Sequence, residues 1–323
     1  MAGRFRCIRG VYCAHADKKR TTGGKFQVGA KIGAMTPQPT IGFDTRGVNR
    51  LEDGGAQSEP LMKALYCGFT VQLPAMAVDE ILATPAKKNP RRENLFARCQ
   101  RLLASGQCLW PPHWIIKQLV LAHSKNASRF DWTFLPVRAR FYERAIIDRD
   151  FTEELCDQQR NEQFELEERY AKVWANLRPK LHEALAQNPS LRPTDYHAAL
   201  ALATLEDGVL WGVGQEIYRY VAGSTPSEAD IRRFIEACPP FRAWCYAFVM
   251  SWFVGSLRPK MPDDPAPAGR NDLMMAVYLP YCEKFIADES SQATSLRGIA
   301  TEASINCEVL TFDEFDAALT LKG

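Results

Sequence analysis

The chain has 323 residues, 46% of them apolar and 24% charged, with a formal net charge of +2. That length suits one large domain or two modest ones with a substantial core. The near-neutral balance excludes a protein that coats nucleic acid by bulk charge, so any such contact must be local. Ten cysteines are spread through apolar segments and never form Cys-x-x-Cys. This excludes a small disulfide scaffold and fits reduced thiols acting as small core residues. Cys7, Cys13 and His15 offer three zinc ligands, but at irregular spacing.

Residues 1–39 are rich in Gly, Lys and Arg and read as a basic arm without a continuous apolar signal segment. Pro39-Thr40-Ile41-Gly42-Phe43 is a short apolar strand that ends at Asp44. A helix follows over 59–67, and Thr70-Val71-Gln72-Leu73 is a second strand closed by Pro74. Residues 77–83 read as a short helix and Lys87 to Arg92 as a basic loop. The 3–4 spacing of Leu95, Cys99, Leu102 and Leu103 predicts a helix over 94–105, with Gly106 as its C-cap. Strand–helix–strand–helix alternation argues for a parallel sheet.

From about 112 to 258 the patterning is helical, with no convincing strand. Leu166, Tyr170, Val173, Trp174, Leu177, Leu181, Ala184 and Leu185 trace one stripe over 153–187, which Pro179 should kink. Further helices fit 194–206, 210–222 and 227–238, the last opened by Thr225-Pro226-Ser227-Glu228. Residues 241–255, with Trp244 and Trp252, are apolar nearly all round and should be buried. The most apolar stretch, 243–254, is too short to span a bilayer, so the expectation is a cytoplasmic protein with no membrane partner. A Pro- and Asp-rich linker spans 259–267. The α/β rhythm then returns: a helix over 272–280, a strand at 284–287 ending at Asp288 and Glu289, a helix over 291–303, a strand at 307–311 and a last helix over 313–319.

The fold class expected is α/β: a three-layer α/β/α unit whose central parallel sheet is built from both chain ends, plus a mainly α-helical insertion. A two-stranded sheet could not stand alone, which favours joining the ends. The boundaries are a basic arm over 1–39, a first α/β part over 40–110, the helical insertion over 111–267 and a second α/β part over 268–323.

Asp44, Glu80, Asp272 and Asp288 or Glu289 all sit at strand ends or helix starts in the α/β parts. In open parallel sheets such ends line the ligand crevice. Carboxylates gathered there resist ionisation unless a cation joins them, and Mg²⁺ or Mn²⁺ is the hard partner that oxygen ligands suit. Each residue also has a plain structural reading. Asp44, Asp272 and the Asp288–Glu289 pair could be helix caps, and Glu80, with Asp79 beside it, could be a solvated helix residue.

The stretch Phe43-Asp44-Thr45-Arg46-Gly47-Val48-Asn49-Arg50-Leu51 resembles the opening motif of PIN domains. Val78-Asp79-Glu80-Ile81-Leu82-Ala83 resembles their second motif, and Asn271-Asp272-Leu273-Met274-Met275-Ala276 their third. Phe285-Ile286-Ala287-Asp288-Glu289 and Val309-Leu310-Thr311-Phe312-Asp313-Glu314-Phe315 resemble the closing strand–acid motif and the last strand and helix. The resemblance implies Mg²⁺ or Mn²⁺ held by Asp44, Glu80, Asp272 and Asp288, with Glu289 as the other claimant to the fourth place. It implies hydrolysis of a phosphodiester, more often in RNA than in DNA. The long helical insertion is atypical of the small toxin nucleases in that family. Thr45 and Asn49 could orient Asp44 or touch phosphate. Lys87, Lys88, Arg91 and Arg92 could meet the nucleic-acid backbone, against the plain reading of a solvated charge run. Arg138, Arg140 and Arg144 have helical spacing and could do likewise. His113, His123, His182 and His197 lack paired-ligand spacing. A degenerate site that only binds RNA, and an insertion that binds a protein partner, remain as other readings.

Overall fold

The computed structural model describes residues 38–320, apart from 85–89, 105, 127–128, 134–139, 149–153, parts of 159–208, 254–269 and 289. The arm over 1–39 up to residue 37, Cys7, Cys13, His15, Lys87, Lys88, Arg138, most of the 153–187 stripe and the linker lie outside the described residues, as does Glu289.

Five parallel strands form the sheet among the described residues: β1 (Thr40–Phe43), β2 (Thr70–Pro74), β3 (Gln107–Leu109), β4 (Lys284–Ile286) and β5 (Glu308–Leu310), in the order β3-β2-β1-β4-β5. The first three come from the front of the chain and the last two from its back. Phe43 pairs in register with Ile286, so β1 and β4 close the two ends of the chain into one sheet.

Side-chain alternation along the strands separates two cores. Ile41, Phe43, Val71, Leu73, Cys108 and Ile286 face one layer. It is built by α1 (Thr45–Asp53), α2 (Glu59–Gly68), α3 (Ala75–Leu82), α4 (Pro90–Ala104), α6 (Arg140–Ile147) and the last helix, α12 (Phe312–Thr320). Leu109, Phe285 and Val309 face the other layer. There α5 (Pro112–Lys125), α7 (Val209–Ala222), α8 (Glu228–Ala237), α9 (Pro239–Trp252) and α11 (Ser290–Glu302) pack over the sheet. The insertion therefore supplies most of one layer, and through α6 it also reaches the other.

Several elements differ from their sequence reading for local reasons. Helix α4 begins at Pro90, four residues before the predicted start, so Arg91 and Arg92 are helical rather than part of a basic loop. Proline at the first turn is well placed, because that N–H has no intrahelical partner. Strand β3 has three residues, too few to show a period of two in sequence. Gly106 lets it form: a Cβ there would lie 1.9 Å from the carbonyl oxygen of Val71 on the neighbouring strand. The helix predicted over 272–280 is a five-residue α10 (Arg270–Met274) that tightens into a 3-10 helix over Met275–Tyr281. Pro280 lies inside that segment and cannot donate the amide an α-helix would need there.

Eight cysteines are free among the described residues, and Cys99, Cys108, Cys156, Cys238, Cys245 and Cys282 are buried. Burial pushes the thiol of Cys99 up to about 12 and makes it an inert small core residue. His123 lies in an aromatic cluster, its Nδ1 3.0 Å from the Tyr218 hydroxyl. Trp244 is core. No helix among the described residues is long and apolar enough to cross a membrane.

Candidate metal centre

Strand order reverses at β1. Chain passing out of β1 moves to β2 and β3 on one side, while β4 and β5 lie on the other. The crevice at such a switch point, beyond the carboxyl ends of the strands, is where open parallel sheets bind ligands. Asp44 follows β1 there and Asp288 follows β4 by two residues.

Asp44 is the N-cap of α1. Its backbone is extended, and its Oδ1 accepts the Gly47 amide at 2.6 Å. Its own amide donates to Ile286 O at 2.9 Å. The backbone N–H of Asp288 also acts on the Asp44 carboxyl. Gly47 is small for a reason: a Cβ there would sit 3.1 Å from Asp44 Oδ1 and 3.2 Å from Cδ1 of Phe43.

Asp44 is 3% exposed. Burial pushes its carboxyl up to about 7, with the Gly47 and Asp288 amides opposing and the charges of Glu80 and Asp272 adding to the rise. Glu80 and Asp272 are thus each close enough for their charge to act on Asp44, and the backbone at Asp288 is hydrogen-bonded to it. Glu80 is fixed by Thr45, whose Oγ1 donates to Glu80 Oε2. Its neighbour Asp79 turns the other way and accepts from the Tyr142 hydroxyl of α6 at 3.3 Å. Successive helix residues are about 100° apart, so the two acids separate cleanly. The carboxylate of Asp288, 21% exposed, lies 3.6 Å from the Arg50 guanidinium. Among the described residues, no three His, Cys, Asp or Glu side chains come together tightly enough to enclose a metal ion.

The donor set is nonetheless of one chemical kind, hard carboxylate oxygen. A carboxyl whose proton is held chiefly by burial, with its acidic neighbours adding to the effect, is a group whose ionisation a divalent cation favours. Mg²⁺ suits a site that is not a closed cage, since it keeps several waters and takes only one or two carboxylates directly.

The other sequence-predicted residues are placed as follows. Asn49, one turn beyond Thr45 on α1, has a buried Oδ1 with no hydrogen-bond partner among the described residues. Arg91 pairs with Asp53 at 2.9 Å. Arg92 is 2% exposed, its guanidinium stacked over Phe96 and its NH2 donating to Cys156 Sγ at 3.0 Å, so it faces the core of its layer. Arg144 pairs with Asp148 along α6. Arg50, which sequence reading did not single out, stands beside Asp288. It lies within the opening motif, but its neighbours Asp288 and Asp313 are distant in sequence, so no spacing could have pointed to it.

No family model, no curated protein and no solved structure matches the chain.

Proposed function

We propose that this chain is a PIN-like, metal-dependent nuclease that hydrolyses phosphodiester bonds, in RNA sooner than in DNA. The observation that carries the reading is the charge coupling of Asp44 to Glu80 and Asp272, together with the hydrogen bonding of Asp44 to the backbone at Ile286 and Asp288. Asp44 stands at the switch point of a parallel sheet, within charge range of Glu80 and Asp272 and hydrogen-bonded to the backbone of Asp288, and these acids follow one another along the chain in the order of the PIN motifs. A cluster of that kind is costly to hold together and serves no evident packing purpose.

Asp44, Glu80, Asp272 and Asp288 would hold Mg²⁺ or Mn²⁺, with waters completing the shell. When bound, the ion supplies a Lewis acid for the phosphoryl oxygens and a water poised for attack. The chain's own residues do the rest. Thr45 orients Glu80 by donating to it, the Gly47 and Asp288 amides orient Asp44, and burial keeps bulk water away from it. Hydrolysis adds one water across a P–O bond, and no side-chain nucleophile is required.

One observation favours a second reading, in which the fold is kept as an RNA-binding or protein-binding module without hydrolysis. Arg50 places a fixed positive charge 3.6 Å from Asp288, where a cation would otherwise be attracted.

Calorimetry with Mn²⁺ separates the two. Wild type is expected to bind and to cleave a labelled single-stranded RNA. A folded Asp44→Asn, Asp272→Asn double variant is expected to do neither. If wild type shows no Mn²⁺ heat, even with RNA present, hydrolysis is excluded and the binding module stands.

A further inference from the structure

Arg50 lies on α1 with its side chain 42% exposed at the rim of the acidic site. Its NH2 donates to Asp313 Oδ1 at 2.5 Å, and its guanidinium carbon lies 5.0 Å over the Phe312 ring. Both anchors belong to the first turn of α12, so the last helix of the chain holds this arginine in place. Its NH1 points toward Asp288 Oδ1, but 3.6 Å is longer than a hydrogen bond. A guanidinium presents five N–H donors in a rigid plane, and here one is committed to a short bond. Arg46, one turn earlier on the same face of α1, is also exposed.

We propose that Arg50 is the residue that grips a backbone phosphate of the nucleic acid beside Asp288. The inference rests on the nuclease reading above. If Asp288 takes a divalent cation, Arg50 and that cation repel each other at close range. A phosphodiester lying between them satisfies both, because a planar guanidinium matches two phosphate oxygens at once. Asp313 and Phe312 hold the guanidinium at the rim of the site, where a phosphate can approach it from the solvent side beside Asp288. Arg50 therefore opposes metal binding alone and favours strand binding, two effects of opposite sign that a structural role would not produce.

The test uses the full chain as wild type, Arg50→Gln and Arg50→Lys, each checked for an unchanged melting transition. Mn²⁺ affinity is measured without nucleic acid. Affinity for a labelled single-stranded RNA is measured in EDTA across a salt series. Arg50→Gln is expected to bind Mn²⁺ as tightly as wild type or tighter, to bind RNA about tenfold more weakly, and to lower the salt slope by roughly one. Arg50→Lys keeps the charge, and with it the slope, but loses the two-pronged geometry and falls between the two in affinity. If Arg50→Gln binds RNA with wild-type affinity and slope while wild type still cleaves it, the phosphate role is overturned and the nuclease reading stands. If Arg50→Gln instead loses Mn²⁺ affinity with RNA affinity unchanged, Arg50 only positions Asp288 and the proposal is overturned. If wild type binds neither Mn²⁺ nor RNA, both readings fall together.

Discussion

Asp44 and Asp288 are tied to each other through backbone: the Asp44 amide donates to Ile286 O at 2.9 Å, two residues before Asp288, and the Asp288 amide acts back on the Asp44 carboxyl. The acid that caps the first helix and the acid two residues beyond the fourth strand are thereby joined through backbone hydrogen bonds at the centre of the sheet. Rigid placement of this kind is what a site needs to hold its geometry before a ligand arrives.

The raised carboxyl of Asp44 makes stability depend on pH with a definite sign. Its proton leaves at about 7 in the fold and near 3.8 in the unfolded chain. The folded state binds more protons across that window, so the contribution is full below about 3.8 and is lost as pH rises through about 7. Melting curves of metal-free protein should fall in midpoint from pH 5 to pH 8. Asp44→Asn should flatten this trend and melt above wild type at pH 8, since Asn caps a helix as well as Asp and carries no charge to bury. A variant that melts below wild type at pH 8 would show that ionised Asp44 stabilises the fold.

Divalent cation should reverse that slope. Above pH 7 the ionised Asp44 is available to a metal, and binding to the native state raises the midpoint by mass action. Added Mn²⁺ is expected to raise the wild-type midpoint at pH 8 and to have little effect at pH 5. Equal shifts at both values, or an equal shift in Asp44→Asn, would place the ion elsewhere.

Thr45→Val tests the orientation of Glu80. The substitution is nearly isosteric and removes the hydroxyl that donates to Glu80 Oε2. Stability should change by no more than about 1 kcal/mol, the net worth of one hydrogen bond. Mn²⁺ affinity should drop several-fold by calorimetry, because Glu80 loses the hydrogen bond that orients its carboxylate.

Gly47→Ala isolates crowding. Alanine in a helix is favoured over glycine by up to about 1 kcal/mol, yet its methyl would press on Asp44 Oδ1 and Phe43. The expected result is stability within about 1 kcal/mol of wild type with a clear loss of Mn²⁺ affinity. Unchanged affinity would mean that the Asp44 carboxyl tolerates displacement.

Phe315 packs edge-on against both Phe43 of β1 and Phe69, with centroids at 6.0 and 6.1 Å, and is 1% exposed. Phe315→Ala should cost about 3–5 kcal/mol in denaturant unfolding and should loosen α12, and with it the anchors of Arg50.

Much of this was legible from sequence, for reasons that the misses make clear. β1, β2 and β4 were readable because apolar runs stop at Asp44, Pro74 and Asp288, and two strands at each end needed each other to make a sheet. β3 was not, because three residues have no period. The charge run hides the helix start at Pro90, so Arg91 and Arg92 read as loop in the sequence although they are helical. Only the motif favours Glu80 over Asp79, and no spacing says which of two adjacent helix acids meets Thr45 and which meets Tyr142. That the charge of Asp272 reaches Asp44 follows from no local spacing, since nothing local encodes proximity across an insertion, and only the order of the motifs points to it. Arg50 and Asp313 are 263 residues apart and illustrate the same limit.

The pairing of β1 with β4 has a consequence for the growing chain. While the protein is being made, β1, β2 and β3 emerge early with Asp44 and Glu80, but the strand that completes the centre of the sheet follows only after the whole insertion. Contacts between such distant segments form late, because the intervening chain must first be ordered. A nascent or prematurely ended polypeptide thus carries at most half of the acidic constellation, and it has no Arg50 clamp because α12 has yet to appear. Whatever chemistry this site performs is withheld until the insertion, β4 and α12 have all been made.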